Sequence, residues 1–208
     1  MRIALSRDGV DFDDPKIMQT PNKFSNGIGL FRSIVAEMAG GSEIQAVVGG
    51  IGGPLDQKKE LLFSSQKDNL IDWVGRPLKQ SLEKAFDSPV YLENDTAMVG
   101  LGEATAGAGK DFKIVAYVTI STGVGGVRIV DKKIDRNVMG FEVGHQIINF
   151  NDENGKLEDY ISGIVVEKKQ GKKPYEIIDE KFWDEKAHLL AYGLNNTIVH
   201  WSPDVVVL

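Results

Sequence analysis

Two polar segments that follow apolar stretches carry the residue types needed for chemistry on an alcohol. The first, Glu93-Asn94-Asp95, places an amide and a carboxylate directly after the apolar residues of 89–92. The second, at 119–126, reads Thr-Ile-Ser-Thr-Gly-Val-Gly-Gly and combines hydroxyl groups with glycines in a turn. A carboxylate can accept the proton of a substrate hydroxyl, and a turn of backbone amides can hold a phosphate. The pairing therefore favours phosphoryl transfer to an alcohol.

Each of these segments also has a purely structural interpretation. Asn94 or Asp95 would serve as the N-cap of the helix predicted after them, because their side-chain oxygens accept hydrogen bonds from the first helical amides. The glycine turn could simply join two strands, and it lacks the lysine and the spacing of a Walker P-loop. The run Gly-Gly-Ile-Gly-Gly-Pro at 49–54 is either a turn-rich loop or a place where a ligand approaches the backbone closely. The local sequence leaves these alternatives open.

Other ionisable residues are ambiguous in the same way. Glu142 and His145, three positions apart, belong either to a surface loop or to a site that binds sugar hydroxyls through charge-assisted hydrogen bonds. Glu158 by itself looks like an exposed helical acid. His188 and His200 lie in a predicted amphipathic helix and are interpreted as structural.

The composition limits the classes of function. The chain has 208 residues, 42% of them hydrophobic and 26% charged, which is typical of a globular protein with a real core. A net charge of −6 without a large basic cluster argues against nucleic acid as a partner. No apolar run approaches a membrane span, and no signal peptide is evident, so a cytoplasmic location without membrane association is expected. The absence of cysteine excludes disulfides and thiolate metal sites.

Strands and helices are predicted to alternate, which indicates an α/β fold. The predicted helices cover 24–38, 77–86, 96–106 and 184–200. The predicted strands cover 2–6, 44–48, 61–63, 89–92, 114–120, 124–130 and 205–208. The break between two lobes is expected near Asn94, which gives a small N-terminal lobe, 1–94, and a larger C-terminal lobe, 95–208.

Taken in order, these pieces resemble the ROK family of sugar kinases and related repressors, within the actin-like and hexokinase superfamily. The resemblance runs over nearly the whole chain and implies an actin-like ATPase (ribonuclease H-like) fold in two lobes. The segments that carry it are Gly-Gly-Ile-Gly-Gly-Pro at 49–54, Asn69-Leu70 with Trp73, Glu93-Asn94-Asp95, Gly102-Glu103, Gly107-Ala108-Gly109, Thr122-Gly123-Val124-Gly125-Gly126, Glu142-Val143-Gly144-His145, Leu157-Glu158 and Ser162-Gly163.

The resemblance implies a role for each matching residue. Asp95 matches the catalytic base that deprotonates the sugar hydroxyl. The matches to sugar-binding positions are Asn94, Gly53, Asn69, Glu142, His145 and Glu158. The matches to the loop that holds the ATP phosphates are Thr122, Gly123 and Gly125. The implied activity is ATP-dependent phosphorylation of a hexose, in the manner of a glucokinase, with Mg²⁺ carried by the nucleotide.

The chain departs from the family pattern in four places. It starts at what looks like the strand after the family's first phosphate loop, and 205–208 resembles a strand that normally leads into a glycine pair, so the fold is expected to be incomplete at both ends. Val127 and Arg128 replace a glycine and an aliphatic residue. The zinc-binding cysteines of many relatives are missing between His145 and Leu157, so no metal site and no zinc are expected.

These departures leave several functions open. The sugar half of the site looks intact and the nucleotide half depleted, so this chain is expected to phosphorylate poorly. A catalytically impaired sugar-binding module is the alternative to a kinase. A sugar-responsive repressor is less favoured, because the chain has no room for an N-terminal helix-turn-helix. Members of the family are often dimers, so a homodimer is one open assembly, and the sequence does not reveal which hexose is bound.

Overall fold

The computed structural model describes residues 1–65, 68–138 and 140–208. The chain divides into two compact units, Met1–Asp95 and Thr96–Leu208. Both units contain helices and strands, which confirms the α/β class. Within the described residues, no helix has both the length and the apolar character needed to cross a bilayer.

The first unit is built around two parallel strands. Its elements in chain order are β1 (Arg2–Ile3), β2 (Lys16–Ile17), α1 (Phe24–Ala39), β3 (Val47–Ile51), a 3₁₀ helix at Asp68–Trp73, α2 (Leu78–Phe86) and β4 (Val90–Asn94). Strands β1 and β2 pair antiparallel, whereas β3 and β4 pair parallel, with Ile51 opposite Asn94. Because parallel strands end at the same edge, the residues after β3 and the end of β4 are neighbours.

Trp73 lies in the apolar core of the first unit. Its ring is buried, meets Phe24 edge-on at 5.3 Å, and donates a hydrogen bond from Nε1 to Pro21 O at 2.9 Å. Gly27, in the first turn of α1, faces the same indole, and a Cβ at this position would overlap the ring. A glycine inside a helix weakens it, so this one is explained by the close approach of Trp73.

The second unit contains a four-stranded sheet with helices on both faces. Its elements in chain order are α3 (Asp95–Thr105), which begins at the last residue of the first unit, β5 (Ile114–Ile120), β6 (Val124–Val130), β7 (Lys133–Ile134), a 3₁₀ helix at Val143–His145, α4 (Glu158–Ile161), α5 (Gly163–Gln170), a 3₁₀ helix at Pro174–Glu176, α6 (Glu180–Trp201) and β8 (Val205–Val207). The strand order is β7-β6-β5-β8, with β8 parallel to β5 and the other pairs antiparallel.

The sequence of β5 is largely apolar because both faces of the sheet are covered. Val115 and Tyr117 point to a cluster that includes Ala97 and Ala104 of α3, and Val118 points to a second cluster. The small residues of α3 allow it to lie close to the sheet. The second cluster is completed by apolar side chains of α4, α6 and the segment before α4.

Several predicted elements are confirmed where the sequence pattern is local. Helix α1 ends one residue beyond the predicted range, and β5 and β6 form the predicted antiparallel pair around the glycine turn. Helix α6 begins four residues earlier than predicted, where Asp179 accepts a hydrogen bond from Phe182 N at 3.3 Å as its N-cap.

Three strand predictions need correction. The strand predicted at 2–6 is limited to Arg2–Ile3. The strand predicted at 44–48 is found at Val47–Ile51, because pairing with β4 begins at Val47. The strand predicted at 61–63 is wrong: Leu62 makes only isolated bridges, to Leu55 and Val74. Its apolar character reflects complete burial of Leu62 in the core of the first unit rather than a place in a sheet.

Candidate functional site

The carboxyl ends of β3 and β4 bring Gly53 and Asn94 together in the first unit. Gly53 follows β3, Asn94 ends β4, and the Asn94 side chain donates a hydrogen bond from Nδ2 to Gly53 O at 3.1 Å. Gly53 has a φ of +121°, and a Cβ there would lie 2.8 Å from Ser64 O. Only glycine fits this conformation and this space. The asparagine amide is therefore held by a backbone that tolerates no side chain.

Asp95 and Asn69 occupy different places in the same unit. Asp95 is exposed and is the first residue of α3, where helical amides favour a carboxylate. This position suits a helix-terminal residue and equally an acid that faces a ligand. Asn69 is half-buried in the 3₁₀ helix, and its position is set by its buried neighbours Leu70 and Trp73 rather than by the Asn94–Gly53 hydrogen bond.

An ion pair at the end of β4 was not predicted from the sequence. Lys59 Nζ contacts Glu93 Oε2, and the other oxygen of this carboxylate, Oε1, accepts a hydrogen bond from Asn94 N at 2.9 Å. The two charged residues are 34 positions apart, so no local pattern links them. The positive φ of Lys59, 56°, also has no signature in its residue type.

In the second unit, His145 lies between two carboxylates. Its Nε2 is 3.0 Å from Glu158 Oε1, and its Nδ1 is 3.8 Å from Glu142 Oε2. The side chains of Glu142 and His145 are 48% and 41% exposed, so a ligand can reach them, whereas Glu158 is 21% exposed. The structure thus brings three predicted sugar-binding residues into one cluster of strong hydrogen-bonding groups.

Close backbone packing positions this cluster. Gly144 lies against the backbone oxygen of Val124 and leaves no room for a Cβ. After His145 the chain doubles back, with Leu157 N donating to Gln146 O at 2.9 Å and an isolated bridge between Ile147 and Lys156. This reversal places Glu158, at the start of α4, beside the imidazole.

The glycine turn between β5 and β6 lies next to the same cluster. A Cβ on Gly123 would be 3.7 Å from Glu158 Oε2, which is ordinary contact. A Cβ on Gly125 would be 2.7 Å from Thr96 Oγ1, so α3 approaches the turn closely there. The hydroxyl of Thr122 lies on an exposed residue of this turn. Hydroxyl and glycine backbone together suit a phosphate group.

Helix α5 holds the turn from the other side. Gly163 N donates to Ser121 O at 2.7 Å, and Ile164 N donates to Thr122 O at 3.2 Å. Within the turn, Ser121 N donates to Gly123 O at 2.8 Å. The carbonyl groups of Ser121 and Thr122 are thus directed toward α5.

Arg128, one of the departures from the family pattern, binds two partners within the second unit. Its Nε donates to Trp201 O at 2.8 Å, at the last residue of α6, and its guanidinium pairs with Asp135. A cation is favourable at the carboxyl end of a helix. The arginine therefore stabilises the end of α6.

The segment expected to replace the zinc-binding cysteines is closed by hydrogen bonds. Tyr160 OH donates to Asp152 Oδ2, and Asn149 Nδ2 donates to the same hydroxyl at 3.2 Å. The hydrogen bond from Tyr160 lowers the pKa of Asp152, and the hydrogen bond to Asp152 raises the pKa of Tyr160. Over the described ranges, no group of three or more histidine, aspartate and glutamate side chains is arranged to hold a metal ion.

The arrangement of elements matches that of solved sugar kinases. The ROK hexokinase from Thermus thermophilus superposes with a TM-score of 0.80 at 24% identity, covering 97% of this chain and 75% of that one. A ROK family glucokinase from Streptomyces griseus, solved in complex with glucose and AMPPNP, gives a TM-score of 0.76 at 22% identity, covering 99% and 78%. The fold is thus the actin-like ATPase fold that these kinases share.

Sequence comparison defines the family. The ROK family profile matches residues 12–208, and the chain belongs to the ROK family. The chain is also similar to the xylose repressor of Bacillus subtilis, with 34% identity over 108 residues that cover 49% of this chain and 27% of that protein. It therefore spans about a quarter of this repressor's length and about three quarters of the two kinases' lengths.

Proposed function

We propose that this protein is an ATP-dependent hexose kinase of the glucokinase type. The kinases among its structural relatives support the reaction class, and the ROK family supports a sugar as the acceptor. The two compact units are proposed as the small and the large lobe, with cytoplasmic localisation. No nucleic-acid or membrane partner is proposed.

One observation supports a kinase in particular. The cluster of Glu142, His145 and Glu158 lies beside the glycine turn, with Glu158 Oε2 3.7 Å from the Cβ position of Gly123. Carboxylate and imidazole groups bind sugar hydroxyls well, and a glycine turn with a hydroxyl suits a phosphate. A carboxylate beside a phosphate is repulsive unless a cation intervenes. The Mg²⁺ that accompanies ATP would supply that cation.

Each site residue has a proposed role. Asp95 accepts the proton of the hexose hydroxyl as that oxygen attacks phosphorus. ATP supplies the γ-phosphoryl group. The residues proposed to bind the hexose are Gly53, Asn69, Asn94, Glu142, His145 and Glu158. The residues proposed to bind the ATP phosphates are Thr122, Gly123 and Gly125.

Substitution of the proposed base tests the reaction. Asp95→Asn removes the proton acceptor but keeps size and polarity, so turnover is expected to fall about 10²- to 10⁴-fold while hexose affinity changes little. A coupled assay with Mg²⁺-ATP and a panel of glucose, fructose, mannose and xylose measures turnover, and calorimetric titration measures affinity. The matched control is Asp184→Asn, at an exposed position of α6. Turnover of Asp95→Asn equal to the parent would overturn the proposal.

A sugar-responsive regulatory or sugar-binding role is the second candidate. The similarity to the xylose repressor over half of this chain favours it, since a repressor's sugar site needs affinity without phosphoryl transfer. The same two measurements separate the candidates. Hexose or xylose binding with no product formation in Mg²⁺-ATP favours this second role, whereas product formation favours the kinase.

A further inference from the structure

Lys59 stands in a rigid loop with an unfavourable backbone conformation. Its φ of 56° lies in the left-handed region, which costs any residue other than glycine or a few polar residues. The Asp56 carboxylate fixes the same loop, with Oδ1 accepting hydrogen bonds from Glu60 N at 2.6 Å and Leu61 N at 2.9 Å. These hydrogen bonds therefore hold Lys59 in a backbone conformation that glycine would adopt at a lower conformational cost.

The ion pair made by the side chain of Lys59 explains why a lysine occupies this position. Its Nζ pairs with Glu93 Oε2, and Glu93 is only 21% exposed, so this carboxylate is partly removed from water. Glu93 Oε1 accepts the hydrogen bond from Asn94 N. The carboxylate is thus held at both oxygens, by the lysine on one side and by the backbone amide of Asn94 on the other.

We infer that Lys59 is a positioning residue for hexose binding, acting through Glu93 on Asn94; this inference rests on the proposed function. Without the lysine, the Glu93 carboxylate would be free to turn toward water and would release the Asn94 amide. The end of β4 would loosen, and with it the hydrogen bond from Asn94 Nδ2 to Gly53 O. Residues in strained backbone conformations cluster at functional sites.

Lys59→Gly separates positioning from simple stability. The substitution removes the ion pair and also relieves the backbone strain, so the melting temperature is expected to stay level or rise. Two properties should change nevertheless. Hydrogen exchange of the Asn94 amide in the ligand-free chain should become about tenfold faster, and hexose affinity should fall about tenfold, the effect of one weakened charge-assisted hydrogen bond.

Matched variants complete the experiment. Lys58→Gly removes the same charge from an exposed neighbouring residue and is expected to leave both readouts unchanged. Lys59→Arg keeps the charge and is expected to restore most of the affinity. Glu93→Gln keeps an acceptor for Asn94 N but loses the ion pair, so it should resemble Lys59→Gly.

The outcomes distinguish the inference from the proposed function. Unchanged Asn94 exchange in Lys59→Gly overturns the inference whether or not hexose binds. Faster exchange with unchanged hexose affinity also overturns it, as does a large drop in melting temperature relative to Lys58→Gly. Faster exchange in a protein whose parent binds no hexose of the panel supports the link from Lys59 to Asn94 and overturns the proposed function instead.

Discussion

Replacement of Gly53 by alanine is expected to damage the first unit in two separable ways. The φ of +121° costs an L-residue about 1–2 kcal/mol of folding free energy. The new Cβ would also lie 2.8 Å from Ser64 O and 3.0 Å from Leu62 Cδ1. Leu62 is completely buried, so overpacking adds about 1–3 kcal/mol. The expected total destabilisation is about 2–5 kcal/mol.

The expected effect of Gly53→Ala on hexose binding follows from the length of one hydrogen bond. The hydrogen bond between Asn94 Nδ2 and Gly53 O is 3.1 Å long, and a shift of about 0.4 Å would take it beyond hydrogen-bonding range. Hexose affinity should therefore fall together with stability. Urea unfolding followed by tryptophan fluorescence measures the stability, and calorimetric titration measures the hexose affinity.

Gly75→Ala is the matched control for this prediction. Gly75 has a φ of +70° in the same unit, but a Cβ there meets nothing within 4 Å. It should show the backbone cost alone, about 1–2 kcal/mol, with unchanged hexose affinity. If Gly53→Ala is no more destabilising than Gly75→Ala and binds hexose like the parent, the reasoning about this loop is refuted.

Two further predictions concern stability. Tyr160→Phe removes the hydrogen bond to Asp152. The lowered pKa of Asp152 contributes stability above its ordinary value of 3.8, and this contribution is lost as the pH falls through the lowered value. The raised pKa of Tyr160 contributes stability below its ordinary value of 10.0, and this contribution is lost as the pH rises through the raised value. The difference in unfolding free energy between parent and variant should thus be constant from about pH 5 to 9 and shrink outside it, and a difference that grows toward pH 3 in urea titrations would contradict this. Gly27→Ala should destabilise by about 3 kcal/mol because its Cβ would overlap the Trp73 ring, despite the better helix propensity of alanine; a rise in melting temperature would disprove the packing argument.

Local patterns were sufficient to predict much of the fold. The spacing of apolar residues predicted α1, and the apolar runs on both sides of a glycine turn predicted the pairing of β5 with β6. The position of β3 was missed by three residues, because its limits are set by the register with β4 and not by its own composition. The apolar run around Leu62 was predicted as a strand, but it is apolar because Leu62 is completely buried in the core.

The candidate site was less accessible to local reasoning. The spacing of Glu142 and His145 placed two groups near each other, but Glu158 joins them only because the intervening chain doubles back. The family resemblance supplied that third residue. The Lys59–Glu93 pair was missed altogether, since it depends on a loop conformation and on a partner far along the chain.

The bonding between α5 and the turn after β5 has a consequence for how such sequences diverge in length. The amides of Gly163 and Ile164 are matched one-to-one with the carbonyls of Ser121 and Thr122. A single residue inserted in this turn would misalign both pairs at once, so natural variants should keep its length constant. Insertions and deletions should instead accumulate in the largely exposed connection at 171–179, whose hydrogen bonds join residues that are close in the sequence.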